Sequence, residues 1–110
     1  YQINDVITLM RECSGSSIAD IRVDGGPTRD AFLMQFQADI SDAKVIVPAV
    51  EELSALGSAN MAGLATGFWK NRDEITKNRT VLKEYVPGMD LSKRQQYIQG
   101  WQEAVNRAVL

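Results

Sequence analysis

The apolar residues change spacing several times along the chain, and each change marks an element. Ile3, Val6, Ile7 and Met10 recur at i, i+3, i+4 and i+7, the stripe of an amphipathic helix. That spacing predicts a helix over 2–13, with Gly15 as its stop. From Ile18 to Asp24 the pattern switches to alternation, Ile21 and Val23 against Arg22 and Asp24, which predicts a strand. Helical spacing returns from Pro27 to Ile40. Leu33, Phe36 and Ile40 share a face there with Phe32 beside them, and Pro27 suits a first helical position. Val45, Ile46 and Val47 form a continuous apolar run, typical of a strand covered on both faces, and Pro48 ends it. A long helix is predicted from Glu51 to Trp69. An N-x-x-E signal at Asn71 to Glu74 starts a short helix reaching about Arg79. Val81 to Val86 reads as a strand or an extended arm, and "PGM" at 87–89 as a turn. The last helix runs from Asp90 to Val109. Tyr97, Trp101, Ala104, Val105 and Ala108 lie on one stripe, which places Tyr97 and Trp101 in the core.

Strand, helix, strand in this order implies a parallel βαβ unit with helices covering its faces, an α/β fold. The length suits a single domain over residues 1–110. Two strands alone make a poor sheet. The first helical stripe also begins at once, behind Tyr1. Both features read as a piece of a longer protein. Such a piece is expected to expose apolar surface and to self-associate as a homo-oligomer.

Composition narrows the chemistry. Lysine and arginine number 12 against 14 acidic residues, a net charge of −2. That balance gives no electrostatic reason to expect nucleic acid or an anionic membrane. The stretch 53–69 carries no charge over 17 residues. It is short for a membrane span, and Ser54, Ser58, Asn60 and Thr66 dilute it. Its many small residues instead predict a buried helix with a neighbour at close range. Histidine is absent, which removes the commonest general base and metal ligand. Cys13 is the only cysteine, so it can form no internal disulfide. It reads as a buried structural thiol in a reduced, cytoplasmic protein. Asp24, Asp30 and Asp39 show no metal spacing, and Asp39 reads as a solvated residue. Glu51 and Glu52 favour a helix start. Lys93 and Arg94 read as a solvated helix face.

The stretch "RVDGGPTRD" at 22–30 runs a strand through two bare glycines into a helix. Helix N-termini point N–H groups outward, which suits a phosphate or the polar edge of a base. The stretch is neither G-x-G-x-x-G nor G-x-x-x-x-G-K-S/T. By spacing alone it is either a tight structural turn or a nucleotide site.

Longer segments carry a resemblance. "IRVDGGPTRDAFLMQFQADI" at 21–40, "VIVP" at 45–48, "ELSALGSANMAGLATGFW" at 52–69 and "PGMDLSKRQQYIQGWQEAVNRAV" at 87–109 together resemble the C-terminal domain of the FGGY carbohydrate kinases. That family includes glycerol, xylulose and gluconate kinases. The resemblance implies two actin-like ATPase lobes with ribonuclease H-like sheets. This chain would be the C-terminal part of the second lobe, helices packed on a short, mostly parallel sheet. It implies ATP in the cleft between lobes and magnesium-assisted transfer of the γ-phosphate to a sugar or polyol hydroxyl. Gly26 matches a position whose backbone touches ATP, and Gly25 shares the close approach. Asp30 matches a nucleotide-contacting position that is usually asparagine. An ionised carboxylate only accepts hydrogen bonds, so Asp30 suits the amino group of adenine and not a phosphate. The family's catalytic aspartate lies before the matched segments, so the resemblance assigns no catalytic residue or metal ligand to this chain. The small-residue helix is expected to pack behind the glycine turn. The closing segment is glycerol-kinase-like, while "DGGPTRD" also suits pentulose or gluconate kinases. The rival readings are a nucleotide-sensing actin-like module without catalysis and a structural α/β domain that binds nothing.

Overall fold

A computed structural model describes residues 1–50 and 52–109. Helix α1 spans Gln2–Ser14, strand β1 Asp20–Arg22, a short 3₁₀ turn Gly26–Arg29, and helix α2 Ala31–Ser41. Strand β2 spans Lys44–Pro48, helix α3 Leu53–Thr66, helix α4 Arg72–Lys77, strand β3 Val81–Tyr85 and helix α5 Leu91–Ala108. Glu51, read as a helix start, lies outside the described residues.

The expected βαβ unit is present. β1 pairs parallel to β2, with Ile21 opposite Val45 and Arg22 opposite Ile46. The undecided segment 81–86 becomes β3, which pairs antiparallel to the other side of β2 and puts Val45 opposite Tyr85. The sheet order is therefore β1-β2-β3. Val45 and Val47 pack with Met34, Ala38 and Tyr85, and Ile21 and Val23 join this core. Strand alternation turns Arg22 and Ile46 to the opposite face.

β1 is shorter than its apolar pattern predicts because Ile18 turns the chain with a φ of 42°. A β-branched residue is strained there. The Arg11 guanidinium steadies the loop, with Nε donating to Ser17 O at 2.9 Å and Nη2 to Ile18 O at 3.0 Å. Nη2 also donates to Asp42 O at 3.3 Å, which joins this loop to the one after α2. Cys13, expected to be buried, is exposed, because α1 turns Asn4 and Ile7 inward instead.

The predicted Pro27–Ile40 helix is broken in two. Asp30 is extended, with φ −83° and ψ 102°, and separates the 3₁₀ turn from α2. Tyr97 and Trp101 are not deep core residues. Tyr1 stacks on Trp101 at 5.4 Å, and Phe36 meets Tyr97 at 6.1 Å, in a half-exposed aromatic seam between helices. Trp101 Nε1 donates to Asp5 Oδ2 at 2.8 Å, which gives the indole its polar partner.

Asp39 and Arg94, both read as solvated, form a clasp. Asp39 Oδ1 accepts from Gly88 N at 2.7 Å, Gln35 Nε2 at 3.1 Å and Met89 N at 3.2 Å. Arg94 Nε donates to Asp39 O at 2.7 Å, and its Nη2 lies 3.0 Å from Asp42 Oδ1. These bonds seat the "PGM" turn and the start of α5 on α2. At that start Asp90 caps α5. Hydrogen bonds from the Ser92 hydroxyl and the Lys93 and Ser92 amides hold its carboxyl below the usual range. A lowered folded pKa means that this cap persists at neutral pH and weakens only as pH falls through it.

α3 is the largest departure from expectation. Among its described residues only Gly63 is buried. The close neighbour predicted by its small residues exists, but it is Trp69, folded back from just beyond the helix. A Cβ added at Gly63 would meet Trp69 Cδ1 at 2.5 Å, and Trp69 N donates to Gly63 O at 3.1 Å. Gly63→Ala is accordingly expected to expel the indole and destabilise by about 1–3 kcal/mol. A blue shift lost, or a red shift gained, in tryptophan fluorescence would report the expulsion. An unchanged spectrum with unchanged urea midpoint would refute it.

The radius of gyration is 17.2 Å, with extents of 54 × 28 × 25 Å. A compact chain of this length has about 13 Å. The molecule is elongated and leaves apolar residues of α1, including Ile3, Val6, Leu9 and Met10, exposed.

Candidate functional site

The glycine turn lies where β1 ends, and each of its residues has a different physical reason. Gly25 has φ 89° and ψ 176°. That region is open essentially only to glycine, so the backbone itself demands Gly25. Gly26 has no such excuse. Its φ is not positive, and a Cβ added there would meet nothing within 4 Å. A Cβ on Gly25 would touch only Pro27 Cδ, at 3.8 Å. α3 does not pack behind the turn as expected. The turn's shape comes instead from its own bonds. Thr28 N and Oγ1 both donate to Gly25 O, at 3.1 and 2.7 Å, and Asp30 N donates to Pro27 O at 3.1 Å.

Asp30 begins α2. Its Oδ1 accepts from Leu33 N at 3.0 Å, an N-cap satisfying one of the helix's free donors. Its second oxygen has no partner among the described residues. The Gly26 amide is also without a hydrogen-bond partner among them. The structure thus brings Gly25, Gly26 and Asp30 together on one exposed corner. Between this corner and the end of β2 lies a notch of about 90 Å³, lined by Asp24, Gly25, Thr28, Pro48 and Leu82 among others. Ligand-enclosing pockets run to several hundred Å³. The corner is therefore an open shelf, with one wall and a floor.

The larger cavity is elsewhere. About 380 Å³ lies beneath α3, on the sheet face away from α2, lined by Arg22, Ile46, Leu56, Asn60, Trp69 and Arg79 among others. Size favours it as a binding site, but the shelf offers a free Gly26 amide as donor, a bare glycine and an unpartnered Asp30 oxygen as acceptor. No sequence signal pointed to the cavity, because it depends on α3 standing off the sheet. Among the described residues, no group of three or more His, Cys, Asp or Glu is placed to hold a metal ion. The residues at the shelf therefore do not fit a magnesium ion of their own. Among the described residues no helix is long and apolar enough to cross a membrane.

Comparison with known proteins gives a consistent result. Glycerol kinase of Clostridium botulinum (strain Alaska E43 / Type E3) is 48% identical over 107 residues, covering 97% of this chain. Glycerol kinase of Pasteurella multocida (strain Pm70) is 49% identical over 109 residues, covering 99%. The chain spans 22% of the length of each. Among solved structures, Plasmodium falciparum glycerol kinase with ADP superposes with a TM-score of 0.89 at 30% identity, over 99% of this chain and 22% of that one. Ligand-bound xylulose kinase from Lactobacillus acidophilus superposes at 0.67 over 83% of this chain and 19% of that one, at 19% identity, and shares the fold. Residues 1–66 match the model of the FGGY family of carbohydrate kinases, C-terminal domain. By sequence, order of elements and superposition, the chain belongs to the FGGY family of carbohydrate kinases.

Proposed function

We propose that this chain forms, as one domain over 1–110, the closing part of the actin-like C-terminal lobe of an ATP-dependent carbohydrate kinase, and that its glycine turn is part of the nucleotide seat. The intact enzyme would move the γ-phosphate of ATP to a hydroxyl of a small polyol or sugar in the cytoplasm. The relatives' identity as glycerol kinases favours glycerol. The observation that carries the reading is Gly26, bare where neither backbone nor neighbours require it, beside an unpartnered N–H. That arrangement leaves room for a ligand and gives it a donor. A relative that superposes over nearly the whole chain was solved with ADP.

In this reading Gly25 sets the turn, and the Gly26 amide donates to the nucleotide. Asp30 holds α2 with one oxygen and accepts from the amino group of adenine with the other. None of the described residues is placed as a base. Phosphoryl transfer rests on positioning and charge stabilisation around the γ-phosphate, so those groups and the magnesium site lie outside this chain. The chain alone is expected to bind and not to catalyse.

Titration with ADP tests this. The wild-type chain should show saturable binding, and Asp30→Asn should bind several-fold weaker, since its amide oxygen keeps the cap and turns an NH2 donor on the adenine amino group. Asp30→Ala should lose the cap, at a cost of about 1 kcal/mol. Flat titrations for both wild type and Asp30→Asn into the millimolar range would overturn the nucleotide seat.

The exposed apolar stripe on α1 supports homo-oligomerisation as a further part of the proposal. Light scattering should show mass rising with concentration, and Val6→Lys with Met10→Lys should abolish the rise. A concentration-independent monomer mass would contradict it.

A further inference from the structure

Asp24 is the one aspartate followed by a glycine, and no asparagine is. Residues 24 and 25 lie past the last bond joining β1 to β2, which Val23 N donates to Ile46 O at 3.2 Å, and before the 3₁₀ turn. Both are exposed. Among the described residues the Asp24 carboxylate has no hydrogen-bond or ion-pair partner, and the Gly25 amide has no acceptor. The Asp24 side chain is short enough for its Cγ to close a five-membered ring on the Gly25 nitrogen. Glycine adds no side chain to obstruct that approach and lets the backbone rotate into it. Even a Cβ built on Gly25 would touch only Pro27 Cδ, at 3.8 Å. Every other aspartate is followed by a side chain, and its own groups are engaged. Asp5, Asp30, Asp39 and Asp90 accept hydrogen bonds, and Asp20 and Asp42 pair with Lys44 and Arg94. Asp73 lies in α4, and the amide after it donates to Asn71 Oδ1 at 3.1 Å.

We propose that Asp24 and Gly25 are a site of spontaneous covalent modification, where the folded chain converts its own aspartyl link to an isoaspartyl one. The Gly25 nitrogen bonds to Asp24 Cγ while the neutral carboxyl loses its hydroxyl. That hydroxyl departs as water with the proton released from the nitrogen, leaving a succinimide. Water then adds to the ring. Where it cleaves the bond between Gly25 N and the Asp24 main-chain carbonyl carbon, the chain runs on through Cβ and Cγ. The former main-chain carbonyl becomes the free carboxylate. One water leaves and one returns, so no oxidant, reductant or cofactor takes part. The new link is longer by one carbon–carbon bond, about 1.5 Å. It enters just ahead of Gly25 O, which Thr28 N and Oγ1 hold, so the glycine turn is displaced.

The test ages the 110-residue chain at physiological temperature and labels isoaspartate with an isoaspartyl methyltransferase and radioactive S-adenosylmethionine. Label should accumulate in the tryptic peptide 23–29 and in no other. Asp24→Glu, which needs a six-membered ring, should abolish it. Asp24→Asn should release ammonia in place of water and gain mass as the amide becomes an acid. Because neither reacting group is held, the folded chain should react within about tenfold of the rate in guanidinium chloride, as for a segment that opens at little cost. A slower folded-state rate would overturn the proposal, and so would label confined to other peptides or unchanged in Asp24→Glu. ADP titration of the aged chain is a separate readout that rests on the nucleotide reading of the turn. Binding should be lost in proportion to the isoaspartate formed. Isoaspartate at residue 24 with ADP binding intact would uphold the modification and count against the nucleotide seat.

Discussion

Gly26→Ala is expected to weaken ADP binding by about tenfold or more, while leaving unfolding free energy within about 0.5 kcal/mol of wild type. The two halves of this result have separate causes. A methyl at Gly26 meets no protein atom within 4 Å, so the fold has little reason to register it. A ligand lying against that main chain would be pushed outward, lengthening its bond to the Gly26 N–H. Gly25→Ala gives the contrast. Its backbone at φ 89° and ψ 176° is hostile to any side chain. That variant should lose about 1–3 kcal/mol of stability in urea denaturation. Calorimetric titration and denaturation of both variants separate the roles. If Gly26→Ala bound ADP as wild type does, the bare position would not be a ligand contact.

Asp39→Ala is the second large effect, and it is one of stability. The carboxylate accepts three hydrogen bonds, two from consecutive backbone amides of the "PGM" turn. Truncation leaves those amides unpaired against α2 and removes charge-assisted bonds worth about 1.5–3 kcal/mol each in favourable settings. Water reaches Gly88, so a net loss of about 2 kcal/mol is expected. For a chain of this size that is a fall of roughly 8–12 °C in melting temperature. Asp39→Asn, which keeps an acceptor, should lose about half as much. Arg94→Ala added to Asp39→Ala should cost less than its single effect, since both act in one clasp. Strict additivity of the two would show that they do not.

The period of the apolar pattern made the main elements legible, because α1 and α2 each bury one face and leave another wet, α5 half-buries one, and the unbroken apolar run of β2 is covered on both faces. The sequence also placed Gly25, Gly26 and Asp30 on one corner, since they are neighbours in the chain. What it concealed was long-range. Asp39 and Arg94 are 55 residues apart, and nothing local distinguishes a carboxylate that binds a distant turn from one that binds water. β3 is exposed except at Tyr85, and its sequence does not alternate apolar with polar, so its pairing with β2 is what makes it a strand. Of the small residues of α3 only Gly63 is buried and closely approached, and its partner is Trp69, six residues away, not an element across the molecule. Likeness proposes Asp30 as a ligand contact, whereas its role in starting α2 emerges only from the geometry of Leu33.

Arg11 has a consequence for how the molecule moves. One guanidinium collects carbonyl oxygens from the segments leading into both β1 and β2, at the end of the strands remote from the shelf. That end behaves as a fixed pivot, while the glycine corner is the free tip of the lever. Thermal or ligand-driven adjustment is therefore concentrated at the tip, and fraying of the pivot requires both connections to let go together.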